Sequence, residues 1–350
     1  MTIVADTYQF VVGVDTHAAT HTYTILSTPH GTPQVTRSFP ASPAGIGRAL
    51  DWISRHTNGP VLMAVECVGS YGAQLAHTAT SRGYPVVEPF PTPPVMRRGK
   101  GKSDPVDARL IGASVLGVDT TRLRQPRTDQ GIREALRVLI SARDLMNKER
   151  TAAINALTAL VRIAGLGVDA RHHLSAEQIH QIGAWRNHPS DTVAEATARF
   201  EATRLARRVA LCDTDLHDNE AAVDALVQGS VFAPLLDLCG VGPINAATVI
   251  IAWSHPGRVR DEAAFAALAG ASPIPASSGN TTRYRLNRGG DRQLNRALTC
   301  IIRTRLCWDP ATRDYQARRL AEGKTKREIS RVLKRYLARK LYRQLTELTT

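Results

Sequence analysis

Long hydrophobic runs and paired cysteines are both missing from this 350-residue sequence. No apolar stretch reaches the roughly eighteen residues that a membrane-spanning helix needs. No basic segment followed by an apolar one marks the N-terminus as a secretory signal. The five cysteines form neither a CxxC pair nor a zinc-ligand spacing, so we interpret them as reduced, mostly buried thiols: Cys67, Cys212, Cys239, Cys300 and Cys307. These absences predict a cytoplasmic protein with no membrane partner.

Acidic residues are also in short supply, with 31 Asp and Glu against 45 Lys and Arg and a formal net charge of +14. The excess is concentrated in two segments. Residues 313–343 hold twelve Lys and Arg against three acidic residues, and residues 283–305 hold seven Arg against one Asp. Clustered positive charge is typical of a protein that binds a polyanion. The last segment alone fits a solvated basic helix equally well, but the two segments together favour a nucleic-acid partner.

The first 125 residues alternate between the patterns of strands and helices. β-Branched or apolar runs predict five strands, in FVVGVDTH, HTYTILST, VTRSFPAS, PVLMAVECVG and YPVVEPF. Helices are predicted over 43–56, 71–83 and 104–117. The order βββ-α-β-α-β-α predicts a mixed sheet with helices on its faces, and we assign residues 1–125 to this α/β domain.

From about residue 128 the pattern changes to long amphipathic helices. Apolar side chains at three- and four-residue spacing predict one helix over 132–165 and a second helical region over 191–228. A looser stretch around 172–189 separates them. Two helices of this length are able to pair as an antiparallel coiled coil that spaces the domains or dimerises them. We assign residues 126–230 to this helical connector.

Residues 231–350 form the predicted C-terminal domain, which is mainly helical. The segment LLDLCGVGPINAATVIIAW contains two apolar stretches around a Gly-Val-Gly turn at Gly240–Gly242, the pattern of a helix-hairpin-helix. Such a turn presents backbone N–H groups and a helix N-terminus to a phosphate. An ordinary helical hairpin is the alternative interpretation.

Four acidic residues stand where a phosphoryl-transfer site would need them. Asp15 ends the first predicted strand, and Glu66 ends the fourth. Asp104 and Asp107 open a helix within KSDPVDA. Sites with two metal ions require several carboxylates converging on ions about 3.5–4 Å apart, and an acid in an apolar strand is costly unless it is paired or metal-bound. The alternative for the helical pair is a simple helix start, with Asp104 as N-cap, Pro105 at the first position and Asp107 at the third.

This order of acids, together with KSDPVDA, resembles the DEDD transposases of the insertion-sequence 110 family. The C-terminal third adds similar motifs: GVGP at 240–243, LAGASPIPASSG, and RLNRGGDRQLNRAL, in which Asp291 stands where the family often carries Asn or another polar residue. The resemblance implies a RuvC-like, ribonuclease-H-like N-terminal domain. It also implies a coiled-coil connector and a mainly helical transposase domain with a helix-hairpin-helix.

The same resemblance implies a chemistry. The four acids would bind Mg²⁺, with Mn²⁺ as a substitute, and a C-terminal serine would attack the scissile phosphate and form a covalent phosphoserine intermediate. The serine that matches the SG pair of the family is Ser278, with Ser277 beside it as an open alternative. Local sequence alone favours a turn serine at this position.

The implied partners are target DNA, donor DNA and an element-encoded guide RNA, bound by a homodimer that assembles into a tetramer associated with a bacterial nucleoid. We expect nucleic-acid contacts at ten positions: Lys100, Lys102, Gly240, Gly242, Arg283, Arg285, Arg288, Arg292, Lys334 and Arg335. The residues alone leave two other functions open. One is a RuvC-like, metal-dependent nuclease of the junction-resolvase type that uses water, and the other is a nucleic-acid-binding protein whose acids only cap helices.

Overall fold

The computed structural model describes residues 2–90, 103–126, 131–186, 188–276, 284–285, 287 and 289–349. The chain forms two compact units. The first contains Met1–Asp129 and Ser254–Asp261, and the second contains Gln130–Trp253 and Glu262–Thr350. Within the described ranges, no helix is both long and apolar enough to span a membrane. The three-part division at residues 125 and 230 stays a prediction.

A five-stranded mixed sheet forms the centre of the first unit. Its strands are β1 (Phe10–Thr16), β2 (Thr20–Ser27), β3 (Thr32–Pro40), β4 (Val61–Val65) and β5 (Val86–Val87). They stand in the order β3-β2-β1-β4-β5. The pairs β1–β2 and β2–β3 are antiparallel, and β1–β4 and β4–β5 are parallel. The predicted mixed sheet is confirmed, and it agrees with a ribonuclease-H-like N-terminal domain.

Helices cover both faces of this sheet. They are α1 (Val4–Thr7), α2 (Pro43–His56), α3 (Ala73–Ser81) and α4 (Asp104–Ala113). Successive side chains of a strand point to opposite faces, so β1 contributes to two cores. Val12 and Val14 pack in the core that contains α2 and α3, whereas Val11 packs in the core that contains Ile111 of α4. By the same alternation, Asp15 lies on the α4 face.

Helix α4 lies directly against β1 because two glycines meet at their contact. A Cβ atom on Gly13 would stand 2.0 Å from the carbonyl oxygen of Ala108 and 2.4 Å from the backbone nitrogen of Gly112. Any side chain at this position would therefore displace the helix from the strand. The close approach brings the first turn of α4 to the end of β1 that carries Asp15.

The second unit is mostly helical. Its helices are α5 (Gly131–Ile163), α6 (Ala176–Gly183), α7 (Val193–Gln228), α8 (Pro243–Trp253), α9 (Glu262–Leu268), α10 (Arg292–Trp308), α11 (Pro310–Ala321) and α12 (Lys326–Glu347). Two short strands, β6 (Ile274–Pro275) and β7 (Tyr284–Arg285), pair antiparallel. The mainly helical C-terminal part is confirmed.

The long helices α5 and α7 pack against each other in opposite directions. Arg143 pairs with Glu220 at 2.8 Å, and Arg150, later on α5, pairs with Asp213, which is earlier on α7. Because the order of the partners reverses, the two helices run antiparallel. The more specific coiled-coil geometry stays a prediction.

Helix α6 corrects the expectation of a loose stretch around 172–189. Ser175 and Gln178 form a capping box at its start, which satisfies two backbone N–H groups that would otherwise lack partners. Ile179 and Ile182 are buried in a core that also contains Ala202 of α7. The helix has only eight residues. It is stabilised by packing its apolar face against other helices, which the local sequence does not reveal.

The burial of the cysteines also differs from the expectation. Cys212 is buried, but the other four thiols are exposed, and all five are free. The absence of disulfides matches the sequence interpretation. The exposure of the other four thiols does not match it, since these cysteines lie at positions that face solvent rather than a core.

The Gly-Val-Gly turn joins a short 3-10 helix to α8. Ala233–Asp237 form this 3-10 helix where the sequence predicts an apolar α-helix, and five residues suffice for little more than one turn of that geometry. Gly240 has a φ of +82°, and a Cβ there would lie 2.8 Å from the carbonyl oxygen of Ile301. The turn therefore requires glycine. The helix-hairpin-helix assignment stays a prediction.

Candidate metal centre and nucleic-acid positions

The end of β1 carries two side chains that face the start of α4. Asp15 is the sixth residue of the strand and is 7 % exposed. His17 follows two residues later, and its Nε2 lies 3.2 Å from Oδ2 of Asp15 and 3.7 Å from Oδ1 of Asp104. Ligand atoms of these three residues all lie within 4.8 Å of one another. The structure thus brings together two of the four predicted acids and one residue that the sequence interpretation missed.

Asp104 is not the N-cap of its helix. Ser103 occupies the cap position with an extended backbone, and Asp104 is the first helical residue. The N–H of Asp107 donates to the carbonyl oxygen of Ser103 at 2.9 Å, which closes the first helical turn. The predicted positions are therefore shifted by one residue, because the extended backbone of Ser103 starts the helix one residue earlier, without a capping hydrogen bond from its side chain. Both carboxylates remain in the first turn, where the helix dipole favours negative charge.

The pKa of Asp15 reflects its burial first and the charges around it second. Burial raises the pKa of Asp15 above its ordinary value of 3.8; the nearby carboxylates of Asp104 and Asp107 raise it further, and His17 acts in the opposite direction. Asp107 lies in the first turn of α4 and contributes to this shift, but it is not part of the close three-residue cluster. A bound cation would relieve this repulsion.

Glu66 lies beside Asp15 through the pairing of their strands. Strands β1 and β4 are parallel and in register at Val14 and Val65, so Glu66 is the next residue after the paired segment. Its N–H donates to the carbonyl oxygen of Val14 at 3.2 Å, and its own carbonyl oxygen accepts a hydrogen bond from Oγ1 of Thr16 at 3.1 Å. The side chain is exposed. The backbone of Glu66 is thus fixed to β1, while its carboxylate lies outside the close cluster.

These residues fit a divalent metal ion. Two carboxylates and an imidazole are common metal ligands, and the buried Asp15 has acidic neighbours that a cation would balance. The side chain of Asp15 is 10 % exposed, whereas those of His17 and Asp104 are 54 % and 56 % exposed. An ion held here would therefore keep positions open toward solvent and substrate. The sequence signal for His17 was its spacing in VDTH, two residues after Asp15 and directly after the end of β1, where the alternation of the strand brings both side chains to one face.

Several predicted nucleic-acid positions are within the described residues. Arg285 in β7 and Arg292 at the start of α10 are exposed. Gly240 and Gly242 flank the turn before α8. The remaining C-terminal pair lies on α12, where Arg335 is half-buried.

Lys334 has a partner inside the second unit. Its Nζ donates to Oδ1 of Asn295 on α10 at 3.0 Å. Burial, followed by the charge of Arg331, lowers the pKa of Lys334. This hydrogen bond therefore connects α12 to α10.

Other predicted positions lie outside the described residues. They are Lys100, Lys102, Ser277, Ser278, Arg283 and Arg288.

Comparison with known proteins assigns the chain to a class. A family model for DEDD transposases, described as Transposase, matches residues 12–165, and a model described as Transposase IS116/IS110/IS902 family matches residues 233–317. The first match contains all four predicted acids and His17. The two matches make this chain a member of a transposase family.

Two insertion-element proteins are similar to the chain. The 42 kDa protein of insertion element IS900 from Mycobacterium paratuberculosis is 28 % identical over 278 residues, covering 65 % of this chain and 67 % of that protein. The 43.6 kDa protein of insertion element IS110 from Streptomyces coelicolor is 34 % identical over 108 residues, covering 30 % of this chain and 27 % of that protein. The chain belongs to the IS110 family of transposases, as the sequence motifs indicate.

Proposed function

We propose that this protein is a DNA recombinase that cleaves and rejoins DNA strands, with a divalent metal ion at the Asp15–Asp104 cluster and a serine as nucleophile. The observation that carries the proposal is the convergence of Asp15 and Asp104 at the junction of β1 and α4, inside the segment that matches a DEDD transposase model. We assign the divalent ion as Mg²⁺, with Mn²⁺ as a substitute, and we include Glu66 and Asp107 in its environment.

The carboxylates have distinct parts in this proposal. Asp15 is the buried anchor of the cluster, and Asp104 is the solvent-facing ligand that α4 brings to it. A bound divalent ion would polarise the scissile phosphate and neutralise the charge that develops on it. Glu66, which is fixed to β1 by its backbone, and Asp107, one helical turn after Ser103, would complete the acidic environment.

The proposed nucleophile is Ser278, which rests on the sequence match alone. Its hydroxyl gives up its proton as Oγ attacks the phosphorus atom and forms a phosphoserine ester, and the leaving strand oxygen takes up a proton as its bond to phosphorus breaks. A hydroxyl of another strand then attacks the phosphoserine, releases Ser278 and restores a phosphodiester. Ser277 is the alternative nucleophile. The arginines at 283, 285 and 288 would neutralise charge on the phosphate.

The proposed partners are target DNA, donor DNA and an element-encoded guide RNA, with a homodimer that assembles into a tetramer. The basic segments support a nucleic-acid partner, and the RNA and the assembly follow from the family resemblance. RNA that co-purifies with the expressed protein tests the guide. We expect enrichment of a transcript that maps beside the gene, and a preparation without such a transcript contradicts RNA guidance.

A covalent adduct tests the nucleophile. With DNA that carries the ends of the element, the wild type should yield a protein–DNA adduct that resists denaturant, and peptide mass mapping should place it on Ser278. Ser278→Ala should abolish strand exchange and the adduct while RNA and DNA binding persist. Ser277→Ala is the matched control and should retain both. Free DNA ends without an adduct, and full activity of the double alanine variant, would instead favour a RuvC-like nuclease that uses water.

A further inference from the structure

His17 is the member of the close cluster that a purely carboxylate site would not contain. Its Nε2 lies 3.2 Å from the Asp15 carboxylate and 3.7 Å from the Asp104 carboxylate. We propose that His17 is a nitrogen ligand of the metal ion and that it raises the affinity of the site for first-row transition ions without raising its affinity for Mg²⁺, the ion assigned to the reaction. This inference rests on the proposed function in one respect, the assignment of a divalent ion to this cluster.

The backbone holds His17 where a ligand must stand. Its N–H donates to the carbonyl oxygen of Thr20 at 3.1 Å, which closes the tight turn between β1 and β2. Asp15 belongs to β1 itself, and its neighbours Val14 and Thr16 pair with Tyr23 and His21 of β2. The positions of Asp15 and His17 are thus set by one strand and one turn rather than by a long loop.

Three donors of mixed type favour a particular class of ion. Imidazole nitrogen suits transition ions such as Co²⁺, Ni²⁺ and Zn²⁺, whereas Mg²⁺ prefers oxygen ligands and gives up its bound water reluctantly. The donor set of His17, Asp15 and Asp104 offers one nitrogen and two carboxylate oxygens.

The exposure of the cluster fits an open metal site. Asp15 is nearly buried, while His17 and Asp104 are more than half exposed. A closed structural site would surround the ion with protein ligands, whereas a site that serves a reaction keeps positions for water or substrate. His17 would therefore tune which ion binds without closing access for a phosphate oxygen.

Metal titrations of the full-length protein test the inference without DNA. Co²⁺ binding is followed by its visible absorption, and Mg²⁺ binding by competition against bound Co²⁺. In His17→Ala we expect the Co²⁺ affinity to fall by about tenfold or more, a loss typical of a perturbed set of metal ligands. The Mg²⁺ affinity of the variant should stay within about threefold of the wild-type value. The absorption spectrum should also change, since the nitrogen donor is lost.

Two further variants make the test specific. His17→Asp replaces the nitrogen with an oxygen donor, so it should bind Mg²⁺ better than His17→Ala does and should not restore the Co²⁺ spectrum. His30→Ala removes an exposed histidine in the turn between β2 and β3 and should leave both affinities at the wild-type level. Circular dichroism of each variant checks that it is folded.

The opposing results are distinct. Equal losses for Co²⁺ and Mg²⁺ in His17→Ala, or no loss for either, would overturn the inference and leave His17 as an ion-pair partner of the two aspartates. Absence of Co²⁺ binding in the wild type would overturn it as well. Loss of DNA strand exchange has no bearing on these titrations, so the proposed function can fail while the ligand assignment stands.

Discussion

At Asp15, a carboxylate that serves metal binding lowers the stability of the folded protein when it is ionised. Its carboxylate is almost buried, and burial, together with the nearby Asp104 and Asp107, raises its pKa above 3.8. The folded protein therefore holds the proton of Asp15 more tightly than the unfolded chain does. Between the two pKa values the free energy of unfolding falls as pH rises, because the folded state binds more protons there. Ionised Asp15 is thus a cost that a metal-binding role explains.

Asp15→Asn should make the metal-free protein more stable at neutral pH. Asparagine keeps the shape of the side chain and removes the buried charge, so thermal melts in EDTA at pH 7 should show a higher melting temperature for the variant. The difference should shrink as pH falls through the raised pKa of Asp15, where the wild type becomes protonated. Added Mn²⁺ should raise the melting temperature of the wild type but not that of the variant.

Asp6→Asn is the control for this melt series. Asp6 is an exposed aspartate of α1 in the same unit, and its substitution should produce no pH-dependent gain. A variant at Asp15 that melts below the wild type at pH 7, or a difference that does not depend on pH, would show that Asp15 stabilises the fold instead.

The residues of the candidate site were only partly predictable from the sequence. Asp15 was found because a carboxylate in an apolar strand is costly, and Asp104 because it opens a helix together with Asp107 within KSDPVDA. His17 was missed because the interpretation considered carboxylates only, although VDTH places it on the face of Asp15. The cap position of Asp104 was wrong by one residue, since the extended backbone of Ser103 decides where the helix begins.

At the scale of elements, the contact of α4 with β1 assembles the site. Gly13→Ala would place a Cβ 2.0 Å from the carbonyl oxygen of Ala108, so the helix must move away from the strand. We expect the free energy of unfolding to fall by about 1–3 kcal/mol, the range for overpacking a close contact. The affinity for Mn²⁺ should fall as well, because the displacement carries Asp104 away from Asp15. Urea unfolding and metal titration measure the two effects.

Gly117→Ala is the matched control for Gly13→Ala. A Cβ on Gly117 would meet no heavy atom within 4 Å, and the residue lies just after α4 in sequence. Its alanine variant should keep the wild-type Mn²⁺ affinity. If Gly13→Ala loses stability but binds Mn²⁺ as the wild type does, the glycine contact supports the fold and does not position the carboxylates.

Element boundaries were predictable where local signals are strong. The sequence predicts α2 over 43–56, and the structure has it at Pro43–His56, because Ser42 caps the helix and Pro43 opens it. Helix α6 was missed because eight residues are too few for a helix that is stable alone, so this helix depends on Ile179 and Ile182 packing against distant helices. The partner of Lys334, Asn295, was not predictable, because the two lie on different helices.

At the scale of the whole molecule, the net charge of +14 predicts binding to nucleic acid that weakens with salt. The structure separates the exposed cations of α12 from Lys334, which bonds to Asn295. Four of these exposed cations are Lys326, Arg327, Arg331 and Lys340; the exposed Arg343 is left unchanged because it pairs with Glu262 at 3.1 Å. Replacing all four with Gln should make the slope of log affinity against log salt shallower by about 0.9 for each DNA phosphate contact that is lost.

Lys334→Gln is the control on the same helix. It removes one positive charge, but its main effect should be a loss of about 1 kcal/mol of stability from the broken bond to Asn295, with little change in the salt slope. Fluorescence anisotropy with labelled DNA measures the slopes, and urea unfolding measures the stability. An unchanged slope in the fourfold variant would make α12 a helix that serves packing and solubility.

The measurement that tests the central claim most directly is DNA strand cleavage by Asp104→Asn, compared with the wild type across a titration of Mg²⁺ or Mn²⁺. The account predicts that wild-type cleavage requires the divalent ion. The variant should cleave at least about a hundredfold more slowly, since a lost metal ligand removes several kcal/mol of transition-state stabilisation. Its free energy of unfolding should change by less than about 1 kcal/mol, the usual value of one charge at a helix N-terminus. Normal cleavage by a variant that unfolds more easily would contradict the account and make Asp104 a residue that only stabilises its helix.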